Sequence, residues 1–160
     1  MTSNKHNILQ LRKNGLSMDE YIKKLSGKSG QEIKENIQKY EPKETILNRL
    51  AEKMEGYTVV VFSATWCKDC KINVAAFIKI LQKQSSIEAI FFSDIKSAPL
   101  DPNIRWKVPP SPPEVNDFNL EKIPTFYILN SDGEVVATIV ESPKHKDSLE
   151  EEFIYVLENA

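Results

Sequence analysis

In the first part of the chain, hydrophobic residues recur at helical spacing among lysine-rich polar residues. Ser17, followed three residues later by a glutamate, has the form of a capping box, so a short helix is predicted after it. Gly27 and Gly30 are expected to break the pattern, and the next helix is expected to end before Pro42. A further amphipathic helix is predicted from about Glu44.

The pattern changes at Tyr57, after which the run TVVVFSA predicts a strand buried on both faces, because it is apolar without alternation. From Cys67 to about Gln84, apolar residues recur at intervals of three and four, which is typical of an amphipathic helix. Residues 87–92 read as the next buried strand. The order strand, helix, strand predicts a right-handed parallel crossover unit, which is one half of an α/β domain.

The last part of the chain predicts a β-hairpin and a closing helix. Prolines concentrate between the second strand and the hairpin, so residues 97–113 are predicted to be an irregular insertion. A turn of helix is expected at residues 114–120, and two apolar strands flank the turn residues 131–133. Residues 147–157 predict the last helix, with three glutamates near its positive N-terminal end.

Charge and composition exclude several classes of function. A net charge of -2, with 41% hydrophobic and 28% charged residues, argues against a general nucleic-acid or membrane-surface binder. The N-terminus lacks the apolar run of a signal peptide, and no run approaches the roughly 20 apolar residues of a membrane span. A cytoplasmic location is therefore expected. In a reducing cytosol two cysteines do not persist as a structural disulfide, which leaves catalysis, redox sensing, metal binding or packing.

Both cysteines of the chain, Cys67 and Cys70, lie in the stretch SATWCKDCK at the start of the predicted helix. Positions i and i+3 on a first helical turn face the same side, so the spacing suits reversible disulfide formation. The unpaired N–H groups and positive dipole of the helix end favour a thiolate at Cys67. We predict Cys67 as the nucleophile and Cys70 as the resolving thiol. Lys68 is expected to favour the thiolate, and Asp69 is expected to oppose it.

A metal site fits the sequence poorly. A tetrahedral site needs four ligands, and the other soft candidates, His6 and His145, lie near the two termini without ligand-like spacing. We expect neither a metal nor a bound organic cofactor, and we expect both histidines to be solvated surface residues. From the residues alone, two inert core thiols remain an alternative to a redox pair.

The sequence FSATWCKDC after a buried strand, with IPTFYI further on before a hairpin, resembles the thioredoxin superfamily. The resemblance covers about residue 44 to the C-terminus. It implies an α/β thioredoxin-like fold, with a central mixed β-sheet flanked by helices and with extra N-terminal helices. Trp66 matches the aromatic residue before the first cysteine. Ile123, Pro124 and Thr125 match a segment whose proline is cis, faces the active-site disulfide and helps to bind substrate.

The resemblance also implies a domain division and an activity. Residues 1–43 would form a helical extension, and residues 44–160 a thioredoxin-like domain with the insertion at residues 97–113. The activity implied is a cytosolic thiol-disulfide oxidoreductase that reduces disulfide-containing proteins and is recharged by a redox donor, either a reductase or a low-molecular-weight thiol. The alternatives are a partner-binding or redox-sensing module without broad activity, and a disulfide oxidase or isomerase.

The sequence departs from the thioredoxin pattern in several places. The residues between the cysteines are Lys-Asp instead of Gly-Pro, so the redox potential does not follow from the family. Val61 occupies the position of a buried aspartate that accepts the proton of the second thiol, and water or Asp94 is a candidate replacement. The usual first strand is not evident. Trp106 and the prolines around it are expected to form a packed loop or a rigid spacer without a partner, or else a substrate-selecting lid.

Overall fold

The computed structural model of the chain describes residues 5–93 and 114–160, and within these ranges it contains seven helices and four strands. They are α1 (Ile8–Asn14), α2 (Met18–Lys24), α3 (Gly27–Lys39), α4 (Glu44–Lys53), β1 (Thr58–Phe62), α5 (Lys68–Lys83), β2 (Glu88–Phe92), α6 (Glu114–Asp117), β3 (Thr125–Leu129), β4 (Val135–Val140) and α7 (Leu149–Glu158). The predicted insertion at residues 97–113, Trp106 and Asp94 lie outside the described residues.

The four strands form one mixed sheet in the order β2-β1-β3-β4. Strands β1 and β2 are parallel and are connected through α5, which confirms the predicted order strand, helix, strand with a parallel crossover. Strand β3 pairs antiparallel with both β1 and β4, so the predicted hairpin is also confirmed. Every residue of β1 and of β3 is buried, because apolar side chains on both faces of these central strands pack against helices or neighbouring loops.

Leu16 forms a backbone bridge at the outer edge of β2. Leu16, between α1 and α2, donates its N–H to the Phe91 carbonyl at 2.8 Å and accepts the Phe91 N–H at 2.8 Å. The neighbouring Gly15 allows this approach, since a Cβ there would lie 2.4 Å from Cγ2 of Ile90. The short bridge satisfies part of a strand edge that would otherwise expose unpaired backbone groups.

The N-terminal helices begin largely as their sequence predicts. The capping box is present: Ser17 Oγ accepts the Glu20 N–H at 3.2 Å, and the Glu20 carboxylate accepts the Ser17 N–H at 2.9 Å. The predicted break at Gly27 and Gly30 was right for the interruption between α2 and α3, where Gly27 has a φ of 66°, and wrong for Gly30, which lies inside α3. A Cβ at Gly30 would lie 2.8 Å from the carbonyl carbon of Leu25. Glycine therefore permits close packing inside the helix.

A buried carboxylate connects the N-terminal helices to α7. Glu150 is only 1% exposed, and it accepts hydrogen bonds from the Tyr40 hydroxyl and, at 2.9 Å, from the Lys43 N–H. Burial and the Glu150 carboxylate both raise the pKa of Tyr40. The side-chain amide of Asn36 in α3 also donates to the Lys71 carbonyl in α5 at 3.0 Å. The N-terminal helices are thus tied to both α5 and α7 by directional contacts.

The two histidines have defined partners. His145 is exposed as predicted, but its Nδ1 lies 2.7 Å from Glu152, and Glu152 also accepts the N–H groups of His145 and Lys146 at 2.9 Å each. Burial acts to raise the pKa of Glu152, but these hydrogen bonds outweigh it, and the pKa is lowered. The prediction of a solvated surface residue was wrong for His6. Its ring stacks on Phe118 with a centroid distance of 3.9 Å, and partial burial lowers its pKa.

Candidate active site

The two cysteines occupy the first turn of α5, where the chain leaves the buried strand β1. Cys67 is the N-cap residue, and its Sγ accepts the Cys70 N–H at 3.3 Å. Capping in this way places the sulfur over the unpaired N–H groups of the helix end. Cys67 is partly exposed, whereas Cys70, one turn further along, is fully buried. Both thiols are free.

The surroundings of Cys67 favour its thiolate. Its pKa is lowered from the ordinary 9.0 to about 7, chiefly by a hydrogen bond from the Cys70 thiol and further by the N–H groups of Cys70 and Asp69. Burial and the charge of Asp69 act in the opposite direction, so the predicted opposition by Asp69 is confirmed. When protonated, the Cys67 thiol donates to the Ile123 carbonyl at 3.6 Å.

The surroundings of Cys70 favour its protonated thiol. Burial is the largest cause that raises its pKa, and hydrogen bonding to Cys67 raises it further. The Ala64 N–H, at 3.5 Å from the Cys70 sulfur, acts weakly in the other direction. Val61, at the position where thioredoxins carry a buried acid, is fully buried. The Cys70 thiol therefore stays protonated at neutral pH.

The start of β3 brings a distant segment to the cysteines. The peptide bond between Ile123 and Pro124 is cis, and the Ile123 carbonyl faces the Cys67 sulfur. Thr125 closes this turn, because its hydroxyl donates to the Lys122 carbonyl at 2.6 Å. The segment singled out in the sequence thus lies beside Cys67, although 56 positions separate the two contacting residues.

A cleft of about 320 Å³ opens beside Cys67. It is lined by Trp66, Cys67, Lys68, Asp69, Lys122, Ile123 and Glu141. Trp66 is 54% exposed, an unusual environment for so large an apolar side chain. Three of the predicted site residues, Trp66, Cys67 and Ile123, therefore share one surface, while Cys70 and Pro124 are buried next to them in the chain.

Two charged residues of the cleft, Lys122 and Glu141, were not predicted as site residues. The Lys122 Nζ lies 3.8 Å from Oε1 of Glu141. The register of the hairpin pairs Thr125 with Val140, and the next residue, Glu141, donates its N–H to the Pro124 carbonyl at 2.7 Å. Counting outward from the predicted turn at residues 131–133 would have placed Glu141 opposite the proline segment.

The described parts of the chain hold no group of three or more histidine, cysteine or acidic side chains placed to bind a metal ion. Among the helices of residues 5–93 and 114–160, none has the length and apolar character needed to cross a membrane.

A thioredoxin family model matches residues 15–99 of the 160. This range is more than half of the chain and includes both cysteines. The chain belongs to the thioredoxin family. The matched range begins before α2, and the predicted division at residue 43 stays a prediction.

Several solved structures have a similar fold. A protein of unknown function from Pseudomonas aeruginosa is 20% identical, with 99% of this chain and 96% of that chain covered and a TM-score of 0.63. An HIV epitope-scaffold is also 20% identical, with 97% and 99% covered and a TM-score of 0.68. Thioredoxin f2 from Chlamydomonas reinhardtii is 18% identical over 61% of this chain and 77% of that chain, with a TM-score of 0.38. No curated protein matches the chain. The first two likenesses and the family match show the predicted thioredoxin-like fold with its extra N-terminal helices.

Proposed function

We propose that this protein is a thiol-disulfide oxidoreductase that reduces protein disulfides in the cytosol through Cys67 and Cys70. The observation that carries the proposal is the contrast between the thiols: Cys67 is accessible with a pKa of about 7, whereas Cys70 is buried with a raised pKa. At pH 7 about half of Cys67 is thiolate, compared with about one part in a hundred for a thiol with the ordinary pKa of 9.0. Cys67 is thus prepared for nucleophilic attack at neutral pH.

The reaction takes place in two exchange steps. First, the Cys67 thiolate attacks one sulfur of the substrate disulfide, the substrate S–S bond breaks, and one substrate thiolate leaves. Second, Cys70 loses its proton and attacks the Cys67 sulfur, which forms the Cys67–Cys70 disulfide and releases the second substrate thiolate. The substrate gains two electrons and the protein loses two.

The cleft beside Cys67 supports a role for Trp66 and Ile123 in substrate binding, and the buried Pro124 contributes by holding its neighbour Ile123 in place. The Ile123 carbonyl lies 3.6 Å from the attacking sulfur, so a substrate chain held against this segment would bring its disulfide within reach of Cys67. The exposed Trp66 ring offers an apolar contact on the same cleft. We assign substrate positioning to these three residues.

The cycle needs an external reductant. After one turnover both cysteines are oxidised, and a reductase or a low-molecular-weight thiol must return two electrons to them. The exchange itself uses only the two sulfurs of the protein, so the proposal requires no bound organic cofactor.

The test is insulin reduction with dithiothreitol as the electron donor. Wild type is expected to accelerate it, and Cys67→Ser is expected to abolish the acceleration. When mixed with insulin in the absence of dithiothreitol, Cys70→Ser is expected to stop at a mixed disulfide that mass spectrometry detects. Cys70→Ser serves as the matched control, since it removes one thiol and keeps the nucleophile. Full activity of Cys67→Ser, or a pair that cannot be cycled between dithiol and disulfide, would overturn the proposal.

Two further measurements separate the proposed function from its alternatives. A reduction potential near about -270 mV indicates a reductase, whereas one near about -120 mV indicates an oxidase. Affinity capture with Cys70→Ser should trap several unrelated proteins as mixed disulfides if the chain is an enzyme of broad range. A dedicated binding module would instead retain one partner whatever its oxidation state.

A further inference from the structure

Glu141 adopts a backbone conformation that is costly for its residue type. It follows the last residue of β4 with a φ of 67°, in the left-handed region that glycine adopts without steric penalty. Two hydrogen bonds fix this geometry: the Glu141 N–H donates to Pro124 at 2.7 Å, and the Ser142 N–H closes a tight turn onto Val140 at 2.8 Å. The backbone here is held by β-hairpin register and not by the glutamate side chain.

The ion pair that the Glu141 side chain makes with Lys122 does not offset this cost. Its Oε1 lies 3.8 Å from Nζ of Lys122, which is too long for a hydrogen bond, and the two side chains are 31% and 59% exposed. Ion pairs of this kind contribute little to stability. Glycine would suit the position better on stability alone, and strained residues of this kind are concentrated at functional sites. The carboxylate therefore points to a role in the cleft that it lines.

The charges around the cleft indicate the chemistry of that role. Among the described residues, three anionic groups line the cleft once Cys67 is ionised, namely the Cys67 thiolate, Asp69 and Glu141, and they outnumber the two lysines, Lys68 and Lys122. A cationic side chain on a bound substrate is favoured by this balance, and an acidic one is disfavoured. The loose contact between Glu141 and Lys122 leaves the carboxylate able to exchange its partner.

We propose that Glu141 is a specificity-determining residue that accepts a lysine or arginine side chain lying next to the disulfide of the substrate. The proposal rests on the proposed disulfide reduction and adds to it a preference among substrates. Glu141 takes no part in the sulfur chemistry. It selects by charge, on the side of the cleft formed by the cis-proline segment and the end of β4.

The test uses two disulfide-bonded peptides that are identical except for arginine or glutamate beside one cysteine, each reduced by the wild-type dithiol protein. The arginine peptide is expected to react about two- to five-fold faster at low salt, and the ratio should approach one in about 1 M salt, where charges are screened within about 3 Å. Glu141→Gln and Glu141→Gly are both expected to remove the preference. The glycine variant should melt at the wild-type temperature or higher, since it removes the backbone penalty.

Asp132→Asn provides the charge-matched control. Asp132 is exposed in the β3–β4 turn, at the opposite end of both strands from the cleft, and its replacement changes the net charge by the same amount. It should leave the ratio of rates at the wild-type value. A similar loss of preference in Asp132→Asn would assign the effect to net charge and overturn the proposal.

The remaining outcomes separate the two levels of inference. If wild type reduces neither peptide, both the proposed function and the role of Glu141 fail. If it reduces both at equal rates, or if the two Glu141 variants keep the wild-type ratio, the role of Glu141 is wrong and the disulfide reduction stands. If Glu141→Gln does not fold, Glu141→Gly decides the question.

Discussion

The low pKa of Cys67 depends most on a hydrogen bond from the Cys70 thiol, and this dependence can be tested with two substitutions. Cys70→Ala removes the donor, whereas Cys70→Ser keeps a hydroxyl donor at nearly the same place. The N–H groups of Asp69 and residue 70 still face the Cys67 sulfur in both variants. The comparison therefore isolates one side-chain hydrogen bond.

The size of the effect follows from the strength of that bond. A hydrogen bond to a charged group contributes about 1.5–3 kcal/mol, and one pKa unit corresponds to about 1.4 kcal/mol. Because Cys67 is partly exposed, we take the lower end of this range. The pKa of Cys67 is then expected to rise from about 7 to about 8 in Cys70→Ala and by less in Cys70→Ser. At pH 7 the thiolate fraction of Cys70→Ala would fall from about half to about one tenth.

The assay is the rate of iodoacetamide alkylation as a function of pH, checked by the ultraviolet absorbance of the thiolate. Cys67 is the single thiol in both variants, so each titration reports one group. The expected order of midpoints is wild type, then Cys70→Ser, then Cys70→Ala. A midpoint for Cys70→Ala at or below that of wild type would refute the assignment of the low pKa to the Cys70 donor.

Three further predictions concern stability, measured by urea or thermal unfolding. Glu152→Ala should lower the free energy of unfolding by about 2–3 kcal/mol, because two backbone N–H groups and the His145 ring lose a buried acceptor. Since the pKa of Glu152 lies below its ordinary 4.5, this contribution is present above pH 4.5 and is lost as the pH falls through the native pKa, so wild type and variant should converge in acid. Tyr40→Phe should cost about 1–2 kcal/mol, because a buried Glu150 oxygen loses its donor, and an unchanged stability would contradict this role. Gly30→Ala should destabilise by about 1–3 kcal/mol despite the helix propensity of alanine, and a more stable variant would show that the neighbouring turn moves freely.

The sequence predicts those parts of the fold that depend on local spacing. The non-alternating apolar run of β1 and the three- and four-residue intervals of α5 reappear as a buried strand and a helix within a residue or two of the expected limits. Gly30 was misread because a glycine usually weakens a helix, and here the close packing against Leu25 requires it. Glu150 was read only as a partner of the helix dipole, since its actual partner, Tyr40, lies 110 positions away and no local pattern contains that contact.

The candidate site also has a part that local sequence predicts and a part that depends on the tertiary fold. The relation between Cys67 and Cys70 is local, and it follows from a helix that starts at the first cysteine. The contact of Cys67 with Ile123 joins two segments that only the tertiary fold brings together, and the sequence indicated it solely through resemblance to a family. Glu141 could have been found from the hairpin register. The positive φ of Glu141 could not have been predicted, because local backbone preferences disfavour a positive φ at a glutamate.

The opposite pKa shifts of the two cysteines have a consequence for the second exchange step. Burial, hydrogen bonding to Cys67, the charge of the Cys67 thiolate and the charge of Asp69 all raise the pKa of Cys70 while both thiols are free. In the proposed mixed disulfide the Cys67 sulfur is neutral and covalently bound, so the two causes that come from Cys67 disappear, whereas burial and the charge of Asp69 remain. The pKa of Cys70 therefore falls as a direct result of the first attack. This change favours loss of the Cys70 proton at the stage when the thiolate is needed, in a protein with Val61 at the place of the buried acid of thioredoxins.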